Sequence, residues 1–469
     1  MDGLISALKI INTYLSDYIL VILLVGCGIF FTVRTGFVQV RCFGAGLKSM
    51  IGNFSLHGKK LEKGISPFQA LATSVAAQVG TGNIVGVSAA ILLGGPGAIF
   101  WMWIIAFFGM ATIYAEAVLA QETRIIKVSG SAAGGPVYYI NRAFKNKWGK
   151  ILAGVFAVSI IISLGGIGAM VQSNAIGATV NTAFGIPKWV VGTVVALVCG
   201  IVFIGGTRHM VAMIEKVIPV IAILYVGGCL AVLVMRIQYI PETFAMIFKY
   251  AFAPGAVIGG GFGYALKTAV SQGAKRGLFS NEAGMGSTPH AHAIAKAKKP
   301  HDQGVLAMMG VFVDTFVIVT MTALVIISTL YAGSDMTFAL SLDSSDMAQA
   351  AFSSVFGSTF GNAFVAICLF FFAFSTIIGW HLFARINVEY LFGRKATLVF
   401  AMIAVVFIFI GSVLKSDLLW ELMDFFSQLM VIPNVPALIA LSGIITFSAG
   451  MGVKKHKKNK KIEKLEKNK

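Results

Sequence analysis

The chain has 469 residues, of which 57% are hydrophobic and only 12% are charged, and its formal net charge is +18. Such proportions exclude an ordinary soluble domain and are typical of a chain that crosses a membrane many times. The lysines and arginines lie in short loops and in the tail of residues 454–469, beside apolar runs, so they predict membrane orientation and not a nucleic-acid partner.

Apolar runs of about 20 residues, the length that crosses about 30 Å of hydrocarbon, recur along the chain. They predict an all-α polytopic membrane protein with 11 transmembrane helices. The predicted helices span residues 17–34, 67–93, 97–123, 149–170 (extended toward 183), 188–206, 211–235, 255–285, 304–333, 357–384, 396–414 and 420–447. The first run lacks a basic leader with a small-residue cleavage site, so we predict a retained helix and not a signal peptide.

The distribution of positive charge predicts how the chain lies in the membrane. If the loop after the first helix is cytoplasmic, most lysines and arginines fall in inner loops. The outer loops then hold only Lys9, Lys188, Arg236, Lys249 and Lys415. We therefore predict a multi-pass protein of the cell (inner or plasma) membrane, with the N-terminus outside and the C-terminus cytoplasmic.

The sequence "GTGN" at residues 80–83 interrupts the second apolar run. One interpretation is a packing face of small residues, which explains the neighbouring glycine and alanine positions but not Thr81 and Asn83. The other is an unwound helix, whose free N–H groups receive a carboxylate and whose free carbonyls receive a cation. A glycine-rich nucleotide loop is excluded because such a loop follows a β-strand.

The order of the runs predicts two inverted halves. Without the first helix, ten runs remain, and the first five begin inside with the helix broken at "GTGN". The second five begin outside with another glycine-interrupted helix. We predict an inverted-repeat transporter with its site where the breaks meet. The predicted divisions are residues 1–66 (N-terminal helix and loop), 67–236 and 237–447 (the repeats), and 448–469 (basic tail).

Three stretches resemble a known family. "GGPGAIFWMWIIAFFG" (residues 94–109) matches the signature of the alanine/glycine:cation symporter family, the sodium:alanine symporters. "GLFSNEAGMGS" (277–287) and "FSTIIGWHLF" (374–383) are also similar to that family, and the resemblance covers essentially the whole chain. It implies a LeuT-like 5+5 inverted repeat plus one N-terminal helix. It also implies Na⁺-coupled, in some members H⁺-coupled, uptake of L-alanine, D-alanine or glycine, with glutamine as the substrate of some members.

The resemblance also implies which residues form the site. The implied substrate-binding residues are Thr81, Gly82, Asn83, Gln172, Phe279, Thr376 and Trp380. The implied Na⁺ ligands are the carbonyls of Ala76 and Val79 and the hydroxyls of Ser375 and Thr376. Neutral oxygens suit this hard cation. Gln172 is expected to accept from the substrate ammonium group, and its alternative role is a hydrogen bond between helices. Trp380 is expected to form one wall of the pocket for the substrate side chain.

Three features allow more than one interpretation. The second break lies either at residues 259–264 or at residues 277–287. For the membrane acids Glu116 and Asp314 and the bordering Glu282, we predict gate or structural ion pairs with basic residues, with proton transport as the alternative. The histidine-containing segment of residues 289–301 is predicted to be a solvated loop.

The function predicted for the chain is secondary active symport of Na⁺ and a small neutral amino acid. The alternatives are H⁺ coupling, glutamine as substrate, or a non-transporting sensor or channel. A channel should show charge rings or repeated filter loops, and a membrane enzyme should show a nucleophile–base set or a metal helix. The sequence shows neither, so we predict no catalysis and no cofactor, with Na⁺ only as the co-transported ion. The expected partners are the amino acid, Na⁺ and lipid, and the protein is predicted to act as a monomer.

Overall fold

The computed structural model describes residues 2–52, 64–126, 132–253, 262–333 and 337–451, and most of these residues are helical. Two short strands, β1 (Ile125–Ile126) and β2 (Ala132–Ala133), pair antiparallel. The helices are α1 (Ile5–Arg34), α2 (Val38–Arg41), α3 (Phe43–Gly52), α4 (Pro67–Gln78), α5 (Val85–Gly94), α6 (Ala98–Thr123), α7 (Pro136–Ala143), α8 (Lys147–Phe184), α9 (Lys188–Ile204), α10 (Gly206–Met235), α11 (Ile240–Phe252), α12 (Phe262–Asn281), α13 (Pro289–Ile294), α14 (Pro300–Leu330), α15 (Thr337–Leu340), α16 (Met347–Phe356), α17 (Ser358–Phe392), α18 (Ala396–Val413), α19 (Ser416–Ala440) and α20 (Ser442–Ser448).

The long apolar helices confirm a polytopic membrane protein. Eight helices in the described part of the chain are long and apolar enough to cross a bilayer, and the bent pair α4–α5 makes a ninth. Two further predicted crossings correspond to α9, which is 17 residues long, and to α12, which carries several basic residues. The predicted total of 11 therefore stays a prediction.

The N-terminal helix α1 is part of the bundle. Its Asn12 side chain donates to the backbone carbonyl of Glu421 at 2.8 Å and to the Glu421 carboxylate at 2.7 Å. Ser16 accepts from Gln428 at 2.7 Å, also on α19. Polar contacts inside a membrane bundle replace the water that lipid cannot supply, so they fix α1 against α19.

Three long helices contain π-helical stretches in the described part of the chain, and in α1 the stretch is Leu15–Leu20. In α8 the stretch is Ile161–Gly168, and in α14 it is Phe312–Val319. Such local widening is found mostly where a helix serves a functional site. Gly168 and Asp314 lie in these stretches, and both contact the region described below.

The loop that leads into α6 packs backbone against backbone. A Cβ atom added at Gly97 would lie 2.1 Å from the carbonyl carbon of Tyr250 and 2.2 Å from the backbone nitrogen of Ala251, both on α11. Trp101 reinforces the contact, since its indole nitrogen donates to the Ala251 carbonyl at 3.0 Å. A side chain at Gly97 cannot be accommodated by rotating a neighbour, because the neighbour is main chain.

We expect Gly97→Ala to lower the free energy of unfolding by about 2 kcal/mol or more, since overpacking typically costs about 1–3 kcal/mol. The measurement is the midpoint of thermal unfolding of the purified protein in detergent. Gly154→Ala is the matched control, because its added Cβ meets no described heavy atom within 4 Å. Equal midpoints for the two variants would contradict the close backbone contact.

Candidate functional site

The first broken helix unwinds where the sequence predicts. Helix α4 ends at Gln78 and α5 begins at Val85, and the two halves are bent by 58°. Between them lies a single 3-10 turn, Thr81–Asn83, all of it buried. The unwinding at "GTGN" is therefore confirmed, and the break leaves backbone groups that no helix satisfies. Binding of a carboxylate and a cation by these groups stays a prediction.

The backbone N–H groups of this break are held by side chains. The Gly80 N–H donates to Oδ1 of Asn83 at 2.9 Å, and the Thr81 N–H donates to Oε1 of Gln172 on α8 at 3.0 Å. The Thr81 hydroxyl and the Gln172 side-chain nitrogen are buried and have no hydrogen-bond partner among the described residues. Buried polar groups are nearly always paired, so these two are available to a polar ligand.

Three of the four predicted cation ligands converge. The Thr376 hydroxyl oxygen lies 2.8 Å from the Ala76 carbonyl oxygen and 3.1 Å from that of Val79. The Thr376 hydroxyl also lies 3.0 Å from the Phe372 carbonyl of its own helix. The Ser375 hydroxyl donates to that same carbonyl at 2.8 Å, so it would have to rotate to reach the Ala76 and Val79 carbonyls. Three neutral oxygens from two helices form a suitable start for a small hard cation. That they bind Na⁺ stays a prediction.

The predicted substrate-binding residues lie together between α4–α5, α8, α12 and α17. An added Cβ at Gly80 would be 2.5 Å from the Thr376 hydroxyl oxygen and 3.0 Å from Gln172 Oε1. An added Cβ at Gly82 would be 2.9 Å from the Phe279 ring. The Phe279 ring meets Trp380 edge-on, with centroids 5.8 Å apart. The structure thus brings together all seven residues, and their role in binding stays a prediction.

The second break lies after α12. This helix is continuous from Phe262 to Asn281, and α13 begins at Pro289. In between, Glu282, Gly284 and Gly286 have φ values of 57°, 89° and 81°, which are left-handed. Glycine adopts these values without strain, which explains the two glycines of "EAGMGS". The break therefore falls within residues 277–287, and residues 259–261 of the other candidate lie outside the described residues.

A continuous α12 carries a basic residue into the bundle. The Arg276 guanidinium pairs with the Asp424 carboxylate on α19 at 3.3 Å and lies 4.6 Å from the centre of the Trp420 ring. Trp420 in turn packs on Phe279 at 4.7 Å. These residues form a layer directly beside the site. Nothing near Arg276 in the sequence indicated Asp424, which is 148 residues away.

The buried acids contact neutral donors. Asp314 accepts from the Asn83 amide at 2.6 Å and from the Ser280 hydroxyl at 2.9 Å. Glu116 accepts from the Asn434 amide at 2.7 Å. The predicted ion pairs are therefore wrong for these two acids, because amide and hydroxyl groups satisfy the carboxylate oxygens. Asp314 joins the two breaks, since Asn83 belongs to the first and Ser280 precedes the second.

Glu116 holds the middle of the second break. Its carboxylate accepts from the backbone N–H of Gly284 at 3.2 Å, and Asn434 also donates to the Gly284 carbonyl at 2.9 Å. Tyr139 donates to the Asn434 side chain at 2.5 Å. Glu116 therefore supports irregular backbone at membrane depth, where every N–H and carbonyl needs a partner.

The segment predicted as a solvated loop begins as a buried helix. His290 and His292 on α13 are fully buried. His290 contacts the Ser287 carbonyl at 2.7 Å and the Asn387 amide at 2.9 Å, and His292 contacts the Gln303 amide at 2.7 Å. The prediction is wrong for this half, and the signal that favours the helix is the proline at its first turn. No group of three or more metal-binding side chains occurs among the described residues.

The break between α4 and α5 and the irregular segment between α12 and α13 are joined by buried polar groups, and such an arrangement defines the site of an ion-coupled secondary transporter. The profile described as "Sodium:alanine symporter family" matches residues 1–467, and the chain belongs to that family.

Known proteins extend the comparison. The chain is 40% identical over 444 residues to "Sodium/alanine symporter AgcS" of Methanococcus maripaludis, which covers 94% of this chain and 95% of that protein. It is 39% identical over 438 residues to "Probable sodium/glutamine symporter GlnT" of Bacillus subtilis, covering 93% and 88%. A crystal structure of MhsT in complex with L-phenylalanine superposes with a TM-score of 0.55 at 15% identity, covering 80% and 88%. At that identity the likeness concerns the fold alone, and it confirms the LeuT-type fold.

Proposed function

We propose that this protein is a secondary active symporter that couples Na⁺ entry to the uptake of alanine, D-alanine or glycine. The observation that carries the proposal is the convergence of the Thr376 hydroxyl on the Ala76 and Val79 carbonyls. These oxygens adjoin the N–H groups of the same helix break. The carbonyls can therefore bind a cation beside the N–H groups that can bind a carboxylate. Because both sets of groups belong to one helix break, binding of either ligand affects binding of the other. The sodium/alanine name of the relative at 40% identity supports the same ion and substrate.

The chemistry of binding follows from the groups present. The substrate carboxylate takes the backbone N–H groups of Thr81 and Gly82, the Thr81 hydroxyl and the Asn83 amide hydrogen that is not donated to Asp314. The Thr81 N–H thereby releases Gln172 Oε1, which accepts from the substrate ammonium group. Na⁺ takes the Ala76 and Val79 carbonyls and the Thr376 hydroxyl, with Ser375 rotating toward it. Entry of one charge yields about 2.3 kcal/mol per 100 mV of membrane potential.

The proposal includes an orientation. The N-terminus lies outside and the C-terminus in the cytoplasm of the cell membrane, with the protein active as a monomer in lipid and without a cofactor. A cavity of about 830 Å³, lined in part by Arg208, Arg385 and Arg394, supports this orientation because it opens among positive charges. We assign it as the cytoplasmic exit.

The test is uptake of labelled alanine into proteoliposomes that contain the purified protein. We expect alanine to accumulate against its gradient when Na⁺ is higher outside, and a negative interior potential to increase the uptake. Empty liposomes and a dissipated Na⁺ gradient are the controls. Accumulation driven by a proton gradient alone, or competition by glutamine but not by glycine, would replace the proposed ion or substrate. The absence of any gradient-driven uptake would contradict the proposal.

A further inference from the structure

The buried side chain of Glu282 connects the second break to Trp380. Glu282, the first residue after α12, is fully buried and has a left-handed backbone. One of its oxygens accepts from the Ser287 hydroxyl, and the other accepts from the indole N–H of Trp380. Ser287 lies at the other end of the same break, whereas Trp380 is 98 residues away on α17. Glu282 therefore ties the irregular segment to one particular aromatic ring.

The opposite edge of the Trp380 ring is confined by α8. A Cβ atom added at Gly168 would lie 2.6 Å from Cζ3 and 2.7 Å from Cε3 of the indole. Gly168 ends the π-helical stretch Ile161–Gly168, so the helix both widens and lacks a side chain where the ring fits. The Phe279 ring meets the indole at 83°, which supplies a third side.

These three contacts leave the indole one orientation. Trp380 is among the largest fully buried side chains of the described residues, and only its N–H is polar. Without an acceptor that N–H would be buried and unpaired, which is costly enough to favour another ring position. The Glu282 carboxyl oxygen supplies the acceptor that the buried indole N–H needs.

We propose that Glu282 is a positioning residue that fixes the Trp380 indole and thereby sets the largest substrate side chain that the site accepts. The inference rests on the proposed function, since it assumes that Trp380 walls the substrate side-chain pocket. Glu282 acts through Trp380 and does not touch the substrate. Because Glu282 lies in the segment that links α12 to α13, the position of the Trp380 ring depends on the position of that segment.

The transport experiment measures discrimination between alanine and 2-aminobutyrate, which is one methylene longer. For each unlabelled amino acid we measure the concentration that halves the uptake of labelled alanine. Discrimination is this concentration for 2-aminobutyrate divided by that for alanine. We expect Glu282→Ala to reduce this ratio by about tenfold, because one methylene in a fitted pocket is worth at least about that factor. Glu282→Gln is the conservative variant, and its amide oxygen still accepts from the indole, so it should retain most of the discrimination.

A double-mutant cycle separates positioning from general structural damage. Trp380→Phe removes the indole N–H, so adding Glu282→Ala to it should change discrimination no further. Further loss in the double variant, or unchanged discrimination in Glu282→Ala, overturns the proposal. If Glu282→Ala does not yield monodisperse protein, Glu282→Met removes the acceptor while it fills more of the space.

A second measurement does not depend on transport. The protein has six tryptophans, and fluorotryptophan labelling gives each a ¹⁹F resonance, with that of Trp380 assigned by its loss in Trp380→Phe. We expect the Trp380 resonance to shift or broaden in Glu282→Ala and to stay near its wild-type position in Glu282→Gln. An unmoved resonance in Glu282→Ala overturns the proposal. Absent alanine uptake by the wild type, with the resonance shifted in Glu282→Ala, overturns the proposed function and the substrate-size limit but not the positioning of Trp380 by Glu282.

Discussion

Replacing Thr376 with alanine is expected to raise the Na⁺ concentration for half-maximal alanine uptake by about 10-fold to 100-fold. The hydroxyl is one of three oxygens that converge beside the first break, at 2.8 Å and 3.1 Å from the Ala76 and Val79 carbonyls. A polar contact to a charged group is worth about 1.5–3 kcal/mol, and each 1.4 kcal/mol is a factor of ten in affinity. The ratio of alanine affinity to glycine affinity should change far less, because the Thr376 hydroxyl is only one of the many atoms around the substrate.

The measurement is alanine uptake titrated against Na⁺ in proteoliposomes, with choline replacing Na⁺ to keep ionic strength constant. Thr179→Ala is a matched control. Thr179 is an equally buried threonine whose hydroxyl, within the described part of the chain, bonds only to carbonyls of its own helix, so its removal should leave the Na⁺ titration unchanged. Thr376→Ser restores a hydroxyl and should recover most of the Na⁺ affinity. An unchanged Na⁺ half-saturation in Thr376→Ala would remove Thr376 from the ion site.

The first break was predictable because its cause is local. Two glycines, a hydroxyl and an amide in an otherwise apolar run are unfavourable in a continuous membrane helix, and "GTGN" unwinds as expected. The second break was harder because its helix is locally misleading. Arg276 argues against a buried helix until its partner Asp424 is known, and that partner comes from α19, far along the chain. Sequence shows that a buried charge needs a partner but not which residue supplies it.

The buried acids are a second case in which the sequence indicates that a partner is needed but not which residue supplies it. Sequence rules correctly mark Glu116 and Asp314 as unusual, and the search for an opposite charge is the natural next step. The structure instead supplies Asn434 and the Gly284 backbone to Glu116, and Asn83 and Ser280 to Asp314. Amides and hydroxyls are common in membrane helices and carry no charge signal. Only the fold reveals that they meet a carboxylate.

Replacing Gly80 with alanine should reduce alanine uptake by about 100-fold or more without unfolding the protein. The added methyl group would lie 2.5 Å from the Thr376 hydroxyl oxygen and 3.0 Å from Gln172 Oε1. One atom would therefore displace both a proposed cation ligand and the side chain that accepts from Thr81. Overpacking of this kind costs about 1–3 kcal/mol, and here it falls on the geometry of the site itself.

Gly86→Ala is the matched control for this prediction. Gly86 belongs to the same broken span and is also buried, but the nearest described atoms to its added Cβ are 3.9 Å and 4.0 Å away, which is ordinary van der Waals contact. We expect Gly86→Ala to transport at a rate close to that of the wild type. Uptake by both variants is compared at equal amounts of monodisperse protein, so that loss of folding is not counted as loss of transport. Equal uptake by the two variants would show that Thr376 on α17 and Gln172 on α8 do not pack tightly against Gly80. That result would contradict the proposed site around Thr376 and Gln172.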